Sequence, residues 1–344
     1  MSDVLVSVTG NVGRLTLNRP AALNALTHPM TLTLLETLTK WAADDSIKLV
    51  LIDGAGEKAF CAGGDIVALY HDGRANPESP RQFWRDEYQL NTFIERYPKP
   101  YVSILDGIVM GGGVGVGAHA AHRVVTERST IAMPETAIGF IPDVGGTRLL
   151  GLAPGRLGDY LAATSGRMKA GDAIYAGFAD DFVPSAKLEE LVAALLETAD
   201  PEVIKRFAEP PPPSTLAAKQ EEIDRLFAMD DPTRLMAGLT GSDFAAATAA
   251  EIAKHSPFAV ACALTLVRQA RGEPEISACL AREFRYGWRT VADPGSDFFE
   301  GVRAMVIDKD KSPKWRHGAL ADVSLIAVAA MLAPLNGEEW GYRD

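Results

Sequence analysis

Two carboxylates, Glu135 and Asp143, stand eight residues apart in Met133-Pro-Glu-Thr-Ala-Ile-Gly-Phe-Ile-Pro-Asp-Val-Gly-Gly-Thr147, a run built mostly of apolar residues, glycine and proline. An ionised carboxyl leaves water at high cost unless it is paired or hydrogen-bonded. Acids in such a setting are therefore either surface helix caps or groups tuned for proton transfer or nucleophilic attack. Taken singly, the capping role is the commoner one. Two glycine-rich turns shift the balance: Cys61-Ala-Gly-Gly-Asp65 and Met110-Gly-Gly-Gly-Val-Gly-Val-Gly117 each follow a β-rich run. Glycine permits close approach to the main chain, and N–H groups at the start of a helix suit a developing negative oxygen. The GxGxxG-like spacing in the second turn does not make a dinucleotide loop. No strand–loop–helix of that kind opens the chain, and no acid stands at the next strand end.

Other candidates carry less. His119 and His122 have metal-like spacing on an expected helix, but no third ligand accompanies them, so packing or surface roles are expected and no metal site is assigned. Cys61 has no histidine near it in sequence and reads as a small packing residue. Asp65 reads as a helix cap. Lys309, Lys311 and Lys314 read as a solvated face.

The elements that must position these residues alternate. Val4 to Leu17 reads as a hairpin about Gly10-Asn11, and Thr27 caps a helix with Leu32, Leu35 and Leu38 on one face. A strand over 47–52 feeds a loop. A helix after Asp65, a polar loop over 71–80 and a helix over 81–97 follow, then a strand over 101–105. Arg123 to Ala132 is a strand pair or extended run, 148–165 is helical, and 179–183 is a last short strand. Strands alternating with helices indicate an α/β fold with parallel pairing. Beyond Leu188 the pattern turns helical, and Glu209-Pro-Pro-Pro-Pro-Ser214 reads as a stiff linker. No internal repeat is visible. The apolar segment Val323 to Leu335 is too short to span a bilayer and reads as a buried helix.

The 344 residues are 47% hydrophobic, enough for a substantial core. A net charge of -11 argues against a duplex nucleic-acid partner, since neutralising phosphates needs a concentrated basic surface. Three cysteines without CxxC spacing indicate neither a disulfide framework nor zinc, and fit a reducing compartment. No leader or membrane segment is visible at the start, so a cytoplasmic location is expected.

Phe60-Cys-Ala-Gly-Gly-Asp65, Met110-Gly-Gly-Gly-Val-Gly115 and the segment from Pro134 to Thr147 together resemble the hallmarks of the enoyl-CoA hydratase/isomerase (crotonase) superfamily, in the right order. The chain resembles most the branch that hydrolyses 3-hydroxyisobutyryl-CoA. Asp143 within Pro-Asp-Val-Gly-Gly, the long insert between Asp65 and Tyr101, and the late block from Asp297-Phe-Phe-Glu-Gly-Val-Arg to Trp315 carry that closer likeness. The resemblance implies a crotonase-like spiral of ββα units over residues 1–190 and a helical C-terminal region, 191–344, packing on it.

It further implies an oxyanion hole from the N–H groups of Gly64 and Gly112, with Lys58, Ala62, Asp65, Gly111 and Gly115 along the acyl-CoA. Lys58 would meet the CoA phosphates. Hydratases of the superfamily use two glutamates. Glu135 matches one, whereas Gly115 stands where the other would be, and Asp143 stands where a hydratase usually has glycine. By resemblance, Glu135 attacks the thioester or activates water, and Asp143 binds the substrate hydroxyl or positions water. CoA enters as part of the substrate and no separate cofactor is implied. A homo-oligomer is possible within the family. The competing expectations are an enoyl-CoA hydratase or isomerase and a non-catalytic acyl-CoA-binding subunit.

Overall fold

Gly10, in the left-handed region at φ 55°, turns the chain from β1 (Val4–Thr9) into β2 (Val12–Leu17). The two strands pair antiparallel from Val4 with Leu17 to Thr9 with Val12 in the computed structural model, which describes residues 2–343. All later pairing between strands is parallel. β3 (Leu49–Gly54), β5 (Tyr101–Leu105), β7 (His122–Val125) and β9 (Asp181–Phe182) extend the hairpin into a six-stranded sheet of order β1-β2-β3-β5-β7-β9. β4 (Ala59–Cys61), β6 (Ile108–Met110) and β8 (Thr130–Ala132) form a second sheet in that order.

Each step of the chain therefore lays one strand in the large sheet and the next in the small one, before a helix or helical turn. This is the expected ββα spiral, with three turns: β3–β4, β5–β6 and β7–β8. The repeat is invisible in the residues because parallel pairing constrains strand length and burial, not identity. Leu49 to Asp53 of β3 are all buried, as parallel strands covered on both faces require. Leu191 and Leu195 of the helix Leu188–Thr198 pack against Val12, Leu49, Leu51 and Val102.

The described residues fall into two compact units interleaved along the chain. The first takes the described part of Met1–Gly64 with Asp86–Ala132 and Arg167–Ala217; the second takes Asp65–Arg85, Met133–Gly166 and the described part of Ala218–Asp344. The expected division at residue 190 coincides with neither unit. The proline run does not hang free: Glu209 bridges to Phe182, and just beyond it Ser214 Oγ donates to Asp172 at 2.7 Å and Leu216 N at 3.0 Å.

In the second unit, the helix Pro257–Gly272 is capped by Ser256, whose hydroxyl accepts from Ala259 N at 3.1 Å, and is buried nearly all round. Asp159, with no exposed surface, accepts from Arg268 Nε at 2.7 Å and from Arg271, tying the helix Leu157–Thr164 to it.

Three local expectations change. The helix His28–Ala43 is capped by Thr27 as expected, but it buries Met30, Leu34, Leu38 and Trp41 and leaves Leu32 exposed, because spacings of four, four and three keep to one side of a 3.6-residue helix whereas successive spacings of three drift off it. The polar loop over 71–80 shrinks to two residues between the helices Ile66–Ala75 and Glu78–Glu95. Asn76 Oδ1 accepts from Glu78 N at 3.1 Å and so starts the second helix early. The late apolar segment forms the short helix Leu325–Leu332, which buries Val328 and Leu332 but exposes Leu325 and Ile326, since so short an element covers one face only. No described helix is long and apolar enough to cross a membrane.

Candidate active site

β4 and β6 are parallel neighbours, so the chain leaves both at the same edge of the small sheet. Gly64 and Gly112 follow those strand ends closely. A Cβ built on Gly112 would lie 3.3 Å from Gly64 N, so the two glycine turns expected from sequence are brought against one another. Gly111, between Met110 and Gly112, has φ +47°, a conformation that disfavours a side chain. Gly112 opens the helix Gly112–Gly117, where its N–H has no intrahelical acceptor.

The first turn is pinned from a segment that sequence reading passed over. Ala62 N donates to Leu23 O at 3.0 Å and Leu26 N to Gly63 O at 2.8 Å. Asn24, fully buried at φ 56°, donates to Ala59 O at 2.8 Å and Ala55 O at 3.0 Å and accepts from Arg19 N at 2.9 Å.

A third participant, Glu87, was also missed. It is buried, and its Oε1 would lie 2.7 Å from a Cβ on Gly112. It comes from the helix Glu78–Glu95, in which sequence reading singled out no site residue. The signal was there in the periodicity: Phe83, Trp84, Glu87, Tyr88, Leu90, Asn91 and Ile94 are all buried, so the acid falls on the apolar stripe.

The two expected acids lie in the second unit. Glu135 opens the 3₁₀ turn Glu135–Ile138, which Gly139 ends at φ +73°. Glu135 is 7% exposed and Asp143 6%. Phe140 N donates to Glu135 O at 3.0 Å, Ser256 N to Thr136 O at 3.1 Å and Tyr286 Oη to Gly139 O at 3.0 Å. Between the acids, Phe140 stacks on Trp84 at 5.3 Å and meets Tyr286 and Phe298 at 5.4 Å. The insert after Asp65 thus supplies part of an aromatic floor beneath the turn.

The late block also acts here. Gly139 faces Asp297 O, which a Cβ would meet at 2.2 Å, and Gly301 faces Ile138 O, which a Cβ would meet at 2.3 Å. Asp297 accepts from Ser256 Oγ at 2.5 Å and Arg316 N at 3.0 Å. The segment from Asp297 onward therefore clamps the turn that bears Glu135.

The remaining expected residues are placed as follows. Lys58 is exposed beside a cavity of about 260 Å³ lined also by Pro20, Asn24, Ala55, Gly56 and Glu57, and its carbonyl accepts from Ile108 N at 3.0 Å. Asp65 caps the helix Ile66–Ala75, accepting from Ala68 N at 3.3 Å. Gly115 is buried inside the helix Gly112–Gly117, so that position offers no carboxylate. Burial pushes the Cys61 thiol up to about 12, which keeps it neutral at pH 7 and unfit as a nucleophile.

His119 and His122 do not share a helix. The helix stops at Gly117 and His122 already belongs to β7, so the three-residue spacing does not bring them onto one helical face. Among the described residues no group of three His, Cys, Asp or Glu is placed to hold a metal. The first unit offers main-chain donors at Gly64 and Gly112, and the second offers buried carboxylates on braced turns; groups of both kinds serve attack on an acyl carbonyl.

The family described as enoyl-CoA hydratase/isomerase matches residues 12–332. A curated relative from Danio rerio, "3-hydroxyisobutyryl-CoA hydrolase, mitochondrial", is 40% identical over 336 residues, covering 94% of this chain and 87% of its own. An enoyl-CoA hydratase from Rhodobacter sphaeroides 2.4.1 is 45% identical with a TM-score of 0.93, covering 99% of this chain and 100% of its own. A carnitinyl-CoA dehydratase from Mycobacterium thermoresistibile is 45% identical with a TM-score of 0.95, covering 100% of this chain and 99% of its own.

Proposed function

The chain belongs to the enoyl-CoA hydratase/isomerase family, and from that premise we propose that it hydrolyses 3-hydroxyisobutyryl-CoA to 3-hydroxyisobutyrate and CoA, as in valine breakdown. The observation that carries the reading is the pair of buried acids, Glu135 and Asp143, on turns flanking the aromatic floor of Phe140. Curated relatives described as 3-hydroxyisobutyryl-CoA hydrolases support it.

In this reading the N–H groups of Gly64 and Gly112 receive the thioester oxygen, each donor being worth about 3–4 kcal/mol at the transition state. Glu135 either attacks the carbonyl carbon or removes a proton from the attacking water. In the first case the C–S bond breaks, CoA leaves as a thiolate that takes up a proton, and water then opens the mixed anhydride. Asp143 accepts the hydrogen bond of the substrate's 3-hydroxyl. Lys58 flanks the CoA phosphates, and Ala62, Asp65, Gly111 and Gly115 line the acyl-CoA path.

Asp143→Asn is expected to lower kcat/KM for 3-hydroxyisobutyryl-CoA by about 10–100-fold while changing isobutyryl-CoA turnover little, since a site built for a hydroxyl discriminates through that bond. Thiol release from the two esters measures it. Equal losses on both would remove Asp143 from hydroxyl recognition.

A second reading, hydration of an enoyl-CoA, is favoured by one observation. Glu87 brings a carboxylate to Gly112 although position 115 is glycine. The same purified protein given crotonyl-CoA decides between them. Thiol release from 3-hydroxyisobutyryl-CoA without loss of the crotonyl-CoA absorbance supports hydrolysis, and the reverse overturns it. Under the hydrolytic reading Glu87 orders water or the acyl end beside Gly112. Glu87→Gln, nearly isosteric, should therefore lower kcat/KM by about 10–100-fold with little change in melting temperature. Unaltered hydrolysis in that variant would make Glu87 a packing residue.

A further inference from the structure

Asp143 is followed by two residues in the left-handed region, Val144 at φ 53° and Gly145 at φ 76°. A β-branched residue rarely adopts that conformation, so something must hold the turn. Gly146 N donates to Asp143 O at 2.6 Å, and the helix Gly146–Leu152 starts at once. Its N-cap is Gly145, which has no side chain to accept the unsatisfied N–H groups of the first turn.

One of those groups, Thr147 N, and the N–H of Gly145 itself are taken by a side chain 138 residues away from Gly145. Glu283, on the helix Ile276–Ala292 and with no exposed surface, accepts from Gly145 N at 2.8 Å through Oε2. Through Oε1 it accepts from Thr147 N at 3.1 Å and from the Thr147 hydroxyl. We propose that Glu283 is the positioning residue for Asp143: its carboxylate replaces the missing cap of the helix Gly146–Leu152 and so locks the left-handed turn that carries Asp143.

The site of the anchor is an unfavourable one for an acid. Burial pushes the Glu283 carboxyl up to about 7, against the pull of Thr147 and Gly145. A capping carboxylate complements the positive end of the helix, and each of its oxygens here is engaged by the segment to be held. The role assigned to Asp143 in this inference rests on the hydrolase reading; the anchoring itself does not.

The test uses Glu283→Ala and Glu283→Gln, the latter keeping one acceptor oxygen and the side-chain volume. Two readouts are compared. Amide hydrogen exchange over 143–147 is expected to accelerate at least tenfold in Glu283→Ala, with partial rescue in Glu283→Gln, while exchange in the strands stays unchanged. The ratio of kcat/KM for 3-hydroxyisobutyryl-CoA to that for isobutyryl-CoA is expected to fall at least fivefold in Glu283→Ala, and adding Asp143→Asn is expected to lower it no further. A merely structural role would depress both esters together and leave the ratio intact. Unchanged exchange over 143–147 in both variants overturns the proposal, as does accelerated exchange with an unchanged ratio when Asp143→Asn alone lowers it. If Asp143→Asn alone leaves the ratio unchanged, the hydroxyl reading of Asp143 has failed, and the exchange rates still decide the anchoring. Should Glu283→Ala fail to fold, Glu283→Gln supplies both readouts.

Discussion

Glu135→Gln is expected to lower thioester hydrolysis by about 10³-fold or more, equivalent to about 4 kcal/mol of transition-state stabilisation, while acyl-CoA binding persists. The amide nearly matches the carboxyl in volume, so the turn Glu135–Ile138 and its clamps at Thr136, Gly139 and Ile138 stay in place. What disappears is the negative oxygen that, in the proposed hydrolysis, attacks the carbonyl or accepts the proton of water. Single-turnover thiol release gives the rate, and calorimetric titration with a non-hydrolysable ester analogue gives the affinity. A variant retaining a tenth or more of wild-type turnover would remove Glu135 from the chemistry. In labelled water, appearance of ¹⁸O in the Glu135 carboxyl of wild-type protein after one turnover reports an anhydride opened at the Glu135 carbonyl. Label confined to the product acid places the water's attack at the substrate's carbonyl, whether on the thioester or on the anhydride, and trapping of the anhydride by hydroxylamine then separates the two.

Gly139→Ala should be a severely damaging single methyl group in the second unit. The residue sits at φ +73°, which costs an L-residue about 1–2 kcal/mol, and its Cβ would lie 2.2 Å from Asp297 O and 2.8 Å from Phe298 N. Both are backbone atoms of a helix start, so relief requires moving the helix Asp297–Val302 away from the turn that bears Glu135. Overpacking of this kind costs about 1–3 kcal/mol, and the sum is about 2–5 kcal/mol. Gly177→Ala is the control, since Gly177 also has a positive φ, +81°, but nothing lies within 4 Å of its Cβ. Thermal melts should place Gly139→Ala on the order of 10 °C below wild type, with Gly177→Ala falling by only a few degrees. Similar melting temperatures for the two variants would show that the Asp297 contact yields easily and that the clamp is soft.

Residues of both kinds, some visible in the sequence and some not, stand behind these two predictions. Glu135, Asp143 and the glycine turns were legible because their signals are local: acids among apolar residues, and glycine where a strand turns into a helix. The hairpin about Gly10 and the helix capped by Thr27 were legible for the same reason. Glu87 was hidden by its neighbours, since a helix containing Glu78, Arg81, Arg85 and Asp86 looks solvated until its buried stripe is traced. The supporting partners were out of reach for a different reason. Ser256 on Thr136, Asp297 on Gly139 and Glu283 on Gly145 join positions more than a hundred residues apart.

By itself, then, the order of residues determined which groups the proposed hydrolysis can draw on: main-chain N–H groups at Gly64 and Gly112 and carboxylates at Glu135 and Asp143, with glycine rather than glutamate at 115. Backbone propensity, capping and side-chain ionisation are properties of a residue and its near neighbours, and they can be read along the chain. The tertiary structure alone decided how those groups are held. It set Gly64 against Gly112, delivered the carboxylate of Glu87 to the same place, and braced the acid-bearing turns with Asp297 and Glu283. Which buried donor meets which acceptor follows from packing, because a polar group removed from water must find its partner wherever the fold supplies one.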